Sequence, residues 1–203
     1  GPMQNLVYIL ADLEEKTAVL IDPAWDVPFL LEEVEKLGCT LDQIWLTHGH
    51  HDHVNGLPEL MARYSGTPIY MSKHEAPFLT PNYTTLIKTY HEQLLTIGNH
   101  QVECIHTPGH SPGGQCFYFE PNHLITGDTL FVNGCGRCDL PGSDPSLMRE
   151  SLLLLSEFPD NTIIYPGHSY SKRTQDTIGN QKKTNPYLRD MNQNRLKAKQ
   201  SSQ

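Results

Sequence analysis

A mixed α/β fold with two strand-rich halves, each carrying helices, is predicted by three features of this sequence. The first half alternates strand-like and helix-like stretches. From His100 onward, short apolar runs are separated by Pro/Gly turns. The length, 203 residues, suits one compact domain with a sizeable core that needs neither disulfides nor a partner.

Taken in order, Leu6–Leu10 and Thr17–Ile21 are apolar and rich in β-formers, and they flank the polar stretch Asp12–Lys16, so the fold is expected to open with a hairpin. Val27–Leu37 sets Phe29, Leu30, Val34 and Leu37 at near-helical spacing among glutamates, with Gly38 where a helix would stop. Gln43–Leu46 is a short apolar strand running into a histidine cluster, Leu57–Tyr64 reads as helix and Thr67–Met71 as strand. Phe78–Leu95 has no clear period and is expected to be loop or irregular helix. Val102–Ile105, Cys116–Phe119 and Leu124–Thr126 read as strands. Asp144-Pro145 supplies a cap and an N1 proline for a helix over Ser146–Phe158, and Thr162–Tyr165 is the last expected strand. The domain is expected to span residues 1–190, with a polar tail, 191–203, that frays.

Composition narrows the function. A formal charge of −8 leaves no broad basic face for neutralising phosphates, which argues against a nucleic-acid partner. No apolar run reaches the roughly 18 residues of a membrane span, and Gly1–Asn5 lacks the charged-then-apolar pattern of a signal segment. Five cysteines, an odd number, do not form a secreted disulfide framework, so a reducing, cytoplasmic setting is expected.

The chemistry concentrates in Thr47-His48-Gly49-His50-His51-Asp52-His53, directly after a predicted strand. Imidazole and carboxylate are preferred ligands of zinc and similar ions, and a strand-end loop can turn several of them toward one point. Alone, the cluster also fits a solvated histidine-rich loop. Three further signals argue for ligands: His110 between Thr107-Pro108-Gly109 and Ser111-Pro112-Gly113-Gly114, Asp128 in Ile125-Thr126-Gly127-Asp128-Thr129, and His168 in Ile164-Tyr165-Pro166-Gly167-His168. Each follows a predicted strand, so the set is expected to converge on one sheet edge. His51 is expected to be exposed and His106 packed, while His74, His91, His100 and His123 have no partner spacing and read as surface residues. Cys135-Gly136-Arg137-Cys138 reads as loop packing rather than a redox pair.

From the Asp22-Pro23 loop to His168, these motifs resemble the metallo-β-lactamase superfamily over nearly the entire chain. The resemblance implies an αββα sandwich, two mixed sheets flanked by helices, with two divalent metal ions in a cleft at its edge. His48, His50 and His110 would hold the first ion, Asp52, His53 and His168 the second, and Asp128 would bridge them. Zinc is the expected metal, with iron or manganese as alternatives. Many β-lactamases of this fold carry cysteine where Asp128 stands, so the carboxylate points to the hydrolase branch. Gly127-Asp128-Thr129-Leu130-Phe131 followed by Gly134-Cys135-Gly136-Arg137 resembles glyoxalase II, whose members hydrolyse thioesters such as S-lactoylglutathione.

That resemblance implies that two cations lower the pKa of a shared water, so that hydroxide attacks a clamped acyl carbonyl, with Asp52 and Asp128 in catalytic roles. The expected substrate is a small-molecule or carrier-bound acyl thioester. Arg137 stands where a basic residue helps hold glutathione, but Asp139 falls where glyoxalase II usually has an aromatic residue. Lys182, Lys183 and Arg189, around Asn185-Pro186-Tyr187-Leu188, stand where relatives bring substrate-binding residues. An alternative of the same fold is an iron-dependent persulfide dioxygenase, whose Gly-Cys-Gly-Arg loop followed by an aspartate resembles Gly134–Arg137 and Asp139. A non-catalytic metal-binding domain would be expected to have lost ligands, and none is lost here.

Overall fold

The computed structural model describes residues 1–189, so the expected tail 191–203 lies outside the described residues. The first sheet contains β1 (Tyr8–Asp12), β2 (Thr17–Ile21), β3 (Thr40–Trp45), β4 (Ile69–Ser72) and β5 (Leu86–Thr89), adjacent in that order. β1 and β2 form the expected antiparallel hairpin, and the remaining neighbours are parallel. Parallel strands need crossovers. Helix α1 (Val27–Lys36) joins β2 to β3, and α2 (His51–Val54) with α3 (Leu57–Arg63) joins β3 to β4. The Asp26 side chain caps α1 by accepting from Phe29 N, and Gly38, at φ 70°, follows its end.

The second sheet uses β6 (Leu94–Ile97), β7 (His100–His106), β8 (Gln115–Phe119) and β9 (His123–Gly127) as an antiparallel run. A small hairpin, β10 (Leu130–Phe131) and β11 (Gly134–Cys135), and helix α4 (Pro145–Leu155) lead to β12 (Ile163–Pro166), which pairs parallel with β9. β13 (Asp176–Thr177) then pairs with β12 and leads into α5 (Ile178–Thr184).

Side-chain alternation turns these sheets into a four-layer sandwich. Along β2, Ala18 and Leu20 face α1 and α3, whereas Val19 and Ile21 face the other sheet. Ile44 and Trp45 divide in the same way on β3. On the second sheet, Cys116 and Leu124 face α4 and α5 while Phe117 and Ile125 face inward. Because both faces of the central strands are buried, these stretches are continuously apolar rather than alternating. The expected αββα sandwich is the result. Among the described residues, no helix is long and apolar enough to cross a membrane.

Some boundaries differ from expectation. The stretch Phe78–Leu95 contains β5 and the start of β6 rather than loop or irregular helix. Each is a four-residue outer strand, too short for a period to emerge, and Leu94 and Ile87 are exposed. The first strand begins at Tyr8 rather than Leu6, because Leu6 N donates instead to Gly167 O beside the last long strand. The helix expected to reach Phe158 ends at Leu155. Strand β13 and helix α5 were not expected, since Asp176–Thr184 is mostly polar and its burial depends on Ile178 and Gln181 meeting a preformed sheet.

Candidate metal centre

Strand ends build the site. Thr47–His53 leaves β3 and closes into the single turn α2, which turns Asp52 and His53 inward while His51 stays exposed. His110 occupies the β7–β8 loop, Asp128 follows β9 and His168 follows β12. Helix α4 fastens the His110 loop: Asp144 N donates to Gly109 O and Ser151 Oγ donates to Pro108 O. Gly167 permits the final approach, because a Cβ there would lie 2.2 Å from Asp128 Oδ1.

All seven expected ligands meet. Donor atoms of His48, His50 and His110 lie within 4.8 Å of one another, as do those of Asp52, His53 and His168. His50 Nδ1 is 2.9 Å from His110 Nε2, and His53 Nε2 is 3.1 Å from His168 Nε2. Asp128 lies between the groups, with Oδ2 3.4 Å from His110 Nε2 and 3.2 Å from His168 Nε2, and Oδ1 3.4 Å from His53 Nε2.

The outer nitrogens are occupied, which fixes how the rings face. His110 Nδ1 donates to Arg137 O and His168 Nδ1 to Met3 O, both at 2.8 Å. His53 Nδ1 donates to Asp22 Oδ2 at 2.9 Å. Thr47 Oγ1 donates to the same carboxyl oxygen at 2.5 Å, so the hydroxyl accepts from His48 Nδ1, 3.0 Å away. Four imidazoles therefore turn Nε2 inward, the arrangement in which outer partners orient metal-ligating histidines. His48 Nε2 is buried without a hydrogen-bond partner, and Asp128 Oδ1 has only the long contact with His53 Nε2, at 3.4 Å. Such orphaned atoms are costly unless an ion engages them.

Electrostatics point the same way. Burial alone would raise the Asp128 carboxyl, but bonds from His168 and His53 hold it well below the ordinary carboxylate range. Burial pushes His48 well below the ordinary imidazole value, with His53 adding to the shift. For His53, burial is outweighed by bonds to Asp128 and Asp22, and its pKa lies well above the ordinary value. The buried carboxylates thus demand positive charge, which a proton on His53 or a divalent ion supplies, and metal binding would release that proton. The donor set, nitrogen and carboxylate oxygen without thiolate, fits zinc and similar ions.

Three supporting groups were not singled out in the sequence. Asp22 accepts from Thr47 N, Thr47 Oγ1 and His53 Nδ1. Asn5 Nδ2 donates to Asp52 Oδ2 at 2.9 Å, while Asn5 Oδ1 accepts from Trp25 Nε1. Tyr170 stacks on His168 with centroids 4.8 Å apart. Asp22 and Tyr170 had sequence signals, the first at a strand end and the second two residues past His168. Asn5 had none.

A cleft of about 740 Å³ opens over the centre, walled by His50, Asp52, Phe131, Arg137, His168, Tyr170 and Tyr187, among others. Arg137 is present, but both its Nε and Nη2 donate to Asp139 at 2.6 Å. Lys182 instead bonds Asp160 at 2.7 Å, Lys183 is exposed on α5, and neither they nor Arg189 line the cleft. Pro186 and Tyr187 represent that segment there. Cys135 and Cys138 pack beside the α4 core, as expected. The histidines expected to lack partners do not all do so: His74 stacks on His106, His91 Nδ1 accepts from His106 N, and His123 Nδ1 meets the Tyr165 hydroxyl. Sequence spacing cannot show these pairs, which come from different strands and turns.

An αββα sandwich with this donor set in its edge cleft defines a class of metal-dependent enzymes. A family profile described as the metallo-beta-lactamase superfamily matches residues 1–168, and the chain belongs to that superfamily. It is 35% identical over 175 residues, 86% of this chain and 77% of the relative, to the Bacillus subtilis (strain 168) protein named "Probable polyketide biosynthesis zinc-dependent hydrolase PksB". It is 31% identical to a hydroxyacylglutathione hydrolase of Synechococcus sp. (strain JA-3-3Ab), covering 91% of this chain and 84% of the relative. Among solved structures, ETHE1 from Myxococcus xanthus superposes with a TM-score of 0.82 at 30% identity, covering 91% of this chain and 79% of that one.

Proposed function

We propose that this protein hydrolyses acyl thioesters at a centre of two divalent ions, most simply zinc. The observation that carries this reading is Asp128, whose two carboxyl oxygens face the two donor clusters. The relatives named as a zinc-dependent hydrolase and a hydroxyacylglutathione hydrolase support both the metal and the thioester.

In this reading His48, His50 and His110 would hold one ion, Asp52, His53 and His168 the other, and Asp128 would reach both. When bound, the ions supply an activated water and a Lewis acid for the acyl carbonyl. Asp52, steadied by Asn5, orients the attacking water toward that carbonyl. Phe131 and Tyr170 pack around His168 and shield the reacting face from bulk solvent. No serine or cysteine nucleophile is required.

The carrier is the finer question. Asp139 neutralises Arg137, and Lys182 is engaged by Asp160, so the cleft offers little net attraction specific to the carboxylates of glutathione. A broad range of thiol carriers, including a phosphopantetheine arm, is therefore proposed. The test is kcat/KM for S-lactoylglutathione against acyl-coenzyme A and acyl-N-acetylcysteamine thioesters with matched acyl groups. Comparable values are expected. A glutathione preference of about a thousandfold, about 4 kcal/mol of differential transition-state binding, would restore a glutathione-specific enzyme.

A second reading, an iron-dependent persulfide dioxygenase, is favoured by one observation: Arg137 and Asp139 form a bidentate pair beside the cleft, in the motif that carries that resemblance. Iron in the purified protein together with persulfide-dependent oxygen consumption would select it.

A further inference from the structure

We propose that Glu75 is a positioning residue of the metal centre, whose buried carboxylate clasps the loop carrying His48 and His50 to the loop carrying His110. The inference rests on the dinuclear reading above and adds what sets the spacing of its first donor cluster.

Glu75 lies past β4, in the turn before a short 3-10 helix at Ala76–Phe78. It is only 3% exposed, unusual for a glutamate with no Lys, Arg or His within ion-pairing distance among the described residues. Its two oxygens are used separately. Oε1 accepts from Gly49 N at 3.0 Å, and Oε2 accepts from Gly113 N at 2.7 Å. Gly49 sits between His48 and His50, and Gly113 is in the loop that presents His110.

Those loops belong to different sheets: one leaves β3, the other joins β7 to β8. Gln115 joins the bases of the two loops, its N donating to Thr47 O and its Nε2 to Leu46 O, but the donors lie farther out, where His50 Nδ1 comes within 2.9 Å of His110 Nε2. A carboxylate spanning both backbones supplies that constraint through two charge-assisted bonds. The fit is close on both sides. A Cβ on Gly113 would lie 2.2 Å from Glu75 N, and one on Gly49 would lie 3.2 Å from Glu75 Oε1. A glutamate that merely completed its own turn would accept from neighbouring amides, whereas these donors are 26 and 38 residues away. An amide in its place can accept from one loop but presents N–H₂ to the other, so charge and shape are both required.

Glu75 touches no substrate in this account, so its signature is metal binding. Wild type, Glu75→Gln and Glu75→Ala are loaded with zinc or cobalt and titrated against a chromophoric chelator, with cobalt absorption recorded in parallel. His50→Ala, which deletes a first-cluster donor, marks the cobalt signal of that cluster. Both Glu75 variants are expected to bind the first-cluster ion about 10- to 100-fold more weakly and to change its absorption, while the ion at Asp52, His53 and His168 is retained. Circular dichroism checks the fold, and the near-isosteric Glu75→Gln carries the test if the alanine variant does not fold. Unchanged affinity and spectrum in Glu75→Gln would overturn the proposal. So would equal weakening of both ions in step with a loss of stability of the metal-free protein, which marks a purely structural role. If wild type itself takes up no ion, the dinuclear reading fails and the proposal fails with it, and the wild-type arm alone reveals that case.

Discussion

Asp128 and Asp22 are both buried carboxylates at this centre, yet they do different work. Asp128 reaches toward both clusters, while Asp22 is saturated by Thr47 and His53 and acts through them. Asp128→Ala should abolish hydrolysis and lower metal content while leaving far-UV circular dichroism nearly unchanged, because its side chain contributes little to the apolar cores. Near-normal turnover at full metal occupancy would show that the bridge is misassigned. Asp22→Asn replaces one acceptor oxygen with a donor facing groups that already donate. Chelator competition should then show roughly 10- to 100-fold weaker binding of the ion held through His53, the cost typical of outer ligand partners. Equal affinity in the variant would remove Asp22 from the account. The seven donors were legible because four lie in one short run and three follow strands. The partners that aim them were less so, since Met3 O, Arg137 O and Asn5 reach them only across the folded chain.

Elements close the sandwich at the end away from the metals. There Asp12 joins two turns: Oδ1 accepts from Glu14 N and Glu15 N in the β1–β2 turn, and Oδ2 accepts from Asn99 N in the β6–β7 turn of the other sheet. The bond from Asn99, then that from Glu15, lowers its pKa below the ordinary carboxylate value. A depressed carboxylate contributes stability above its unfolded pKa and loses it as pH falls through the folded one. Asp12→Asn should therefore be less stable than wild type in urea at about pH 7, with the gap closing in acid, below the ordinary carboxylate value, as the wild-type carboxylate protonates. A gap that persists in acid would show that geometry rather than charge matters. Strands β2 and β9 were legible because burial on both faces makes them largely apolar, and β3 was legible only at its buried end, Ile44 and Trp45, since Thr40–Gln43 is mostly polar and partly exposed. The outer strands β5 and β6 were not, since half their residues meet solvent and the remaining signal spans four residues.

At the scale of the whole molecule, the prediction is metal content. Seven convergent donors exceed what one tetrahedral ion can use, so elemental analysis of metal-replete protein should find close to two ions per chain. Removing them with a chelator should abolish hydrolysis and lower the Tm, because ions that bind only the folded state stabilise it by mass action. A stoichiometry that stays near one would contradict the bridge and favour the iron dioxygenase. The α/β class, the order of most strands and helices, and the donors could all be read before folding is considered. These are written in local periodicity and in chemistry that few residue types can perform. Folding was needed to pair Arg137 with Asp139 and Lys182 with Asp160, to turn Tyr170 and Tyr187 to the cleft, and to bring Glu75 between two loops. The reason is physical: what a charged side chain can do depends on which partner lies within about 3 Å of it, and chain folding sets that distance while sequence spacing does not.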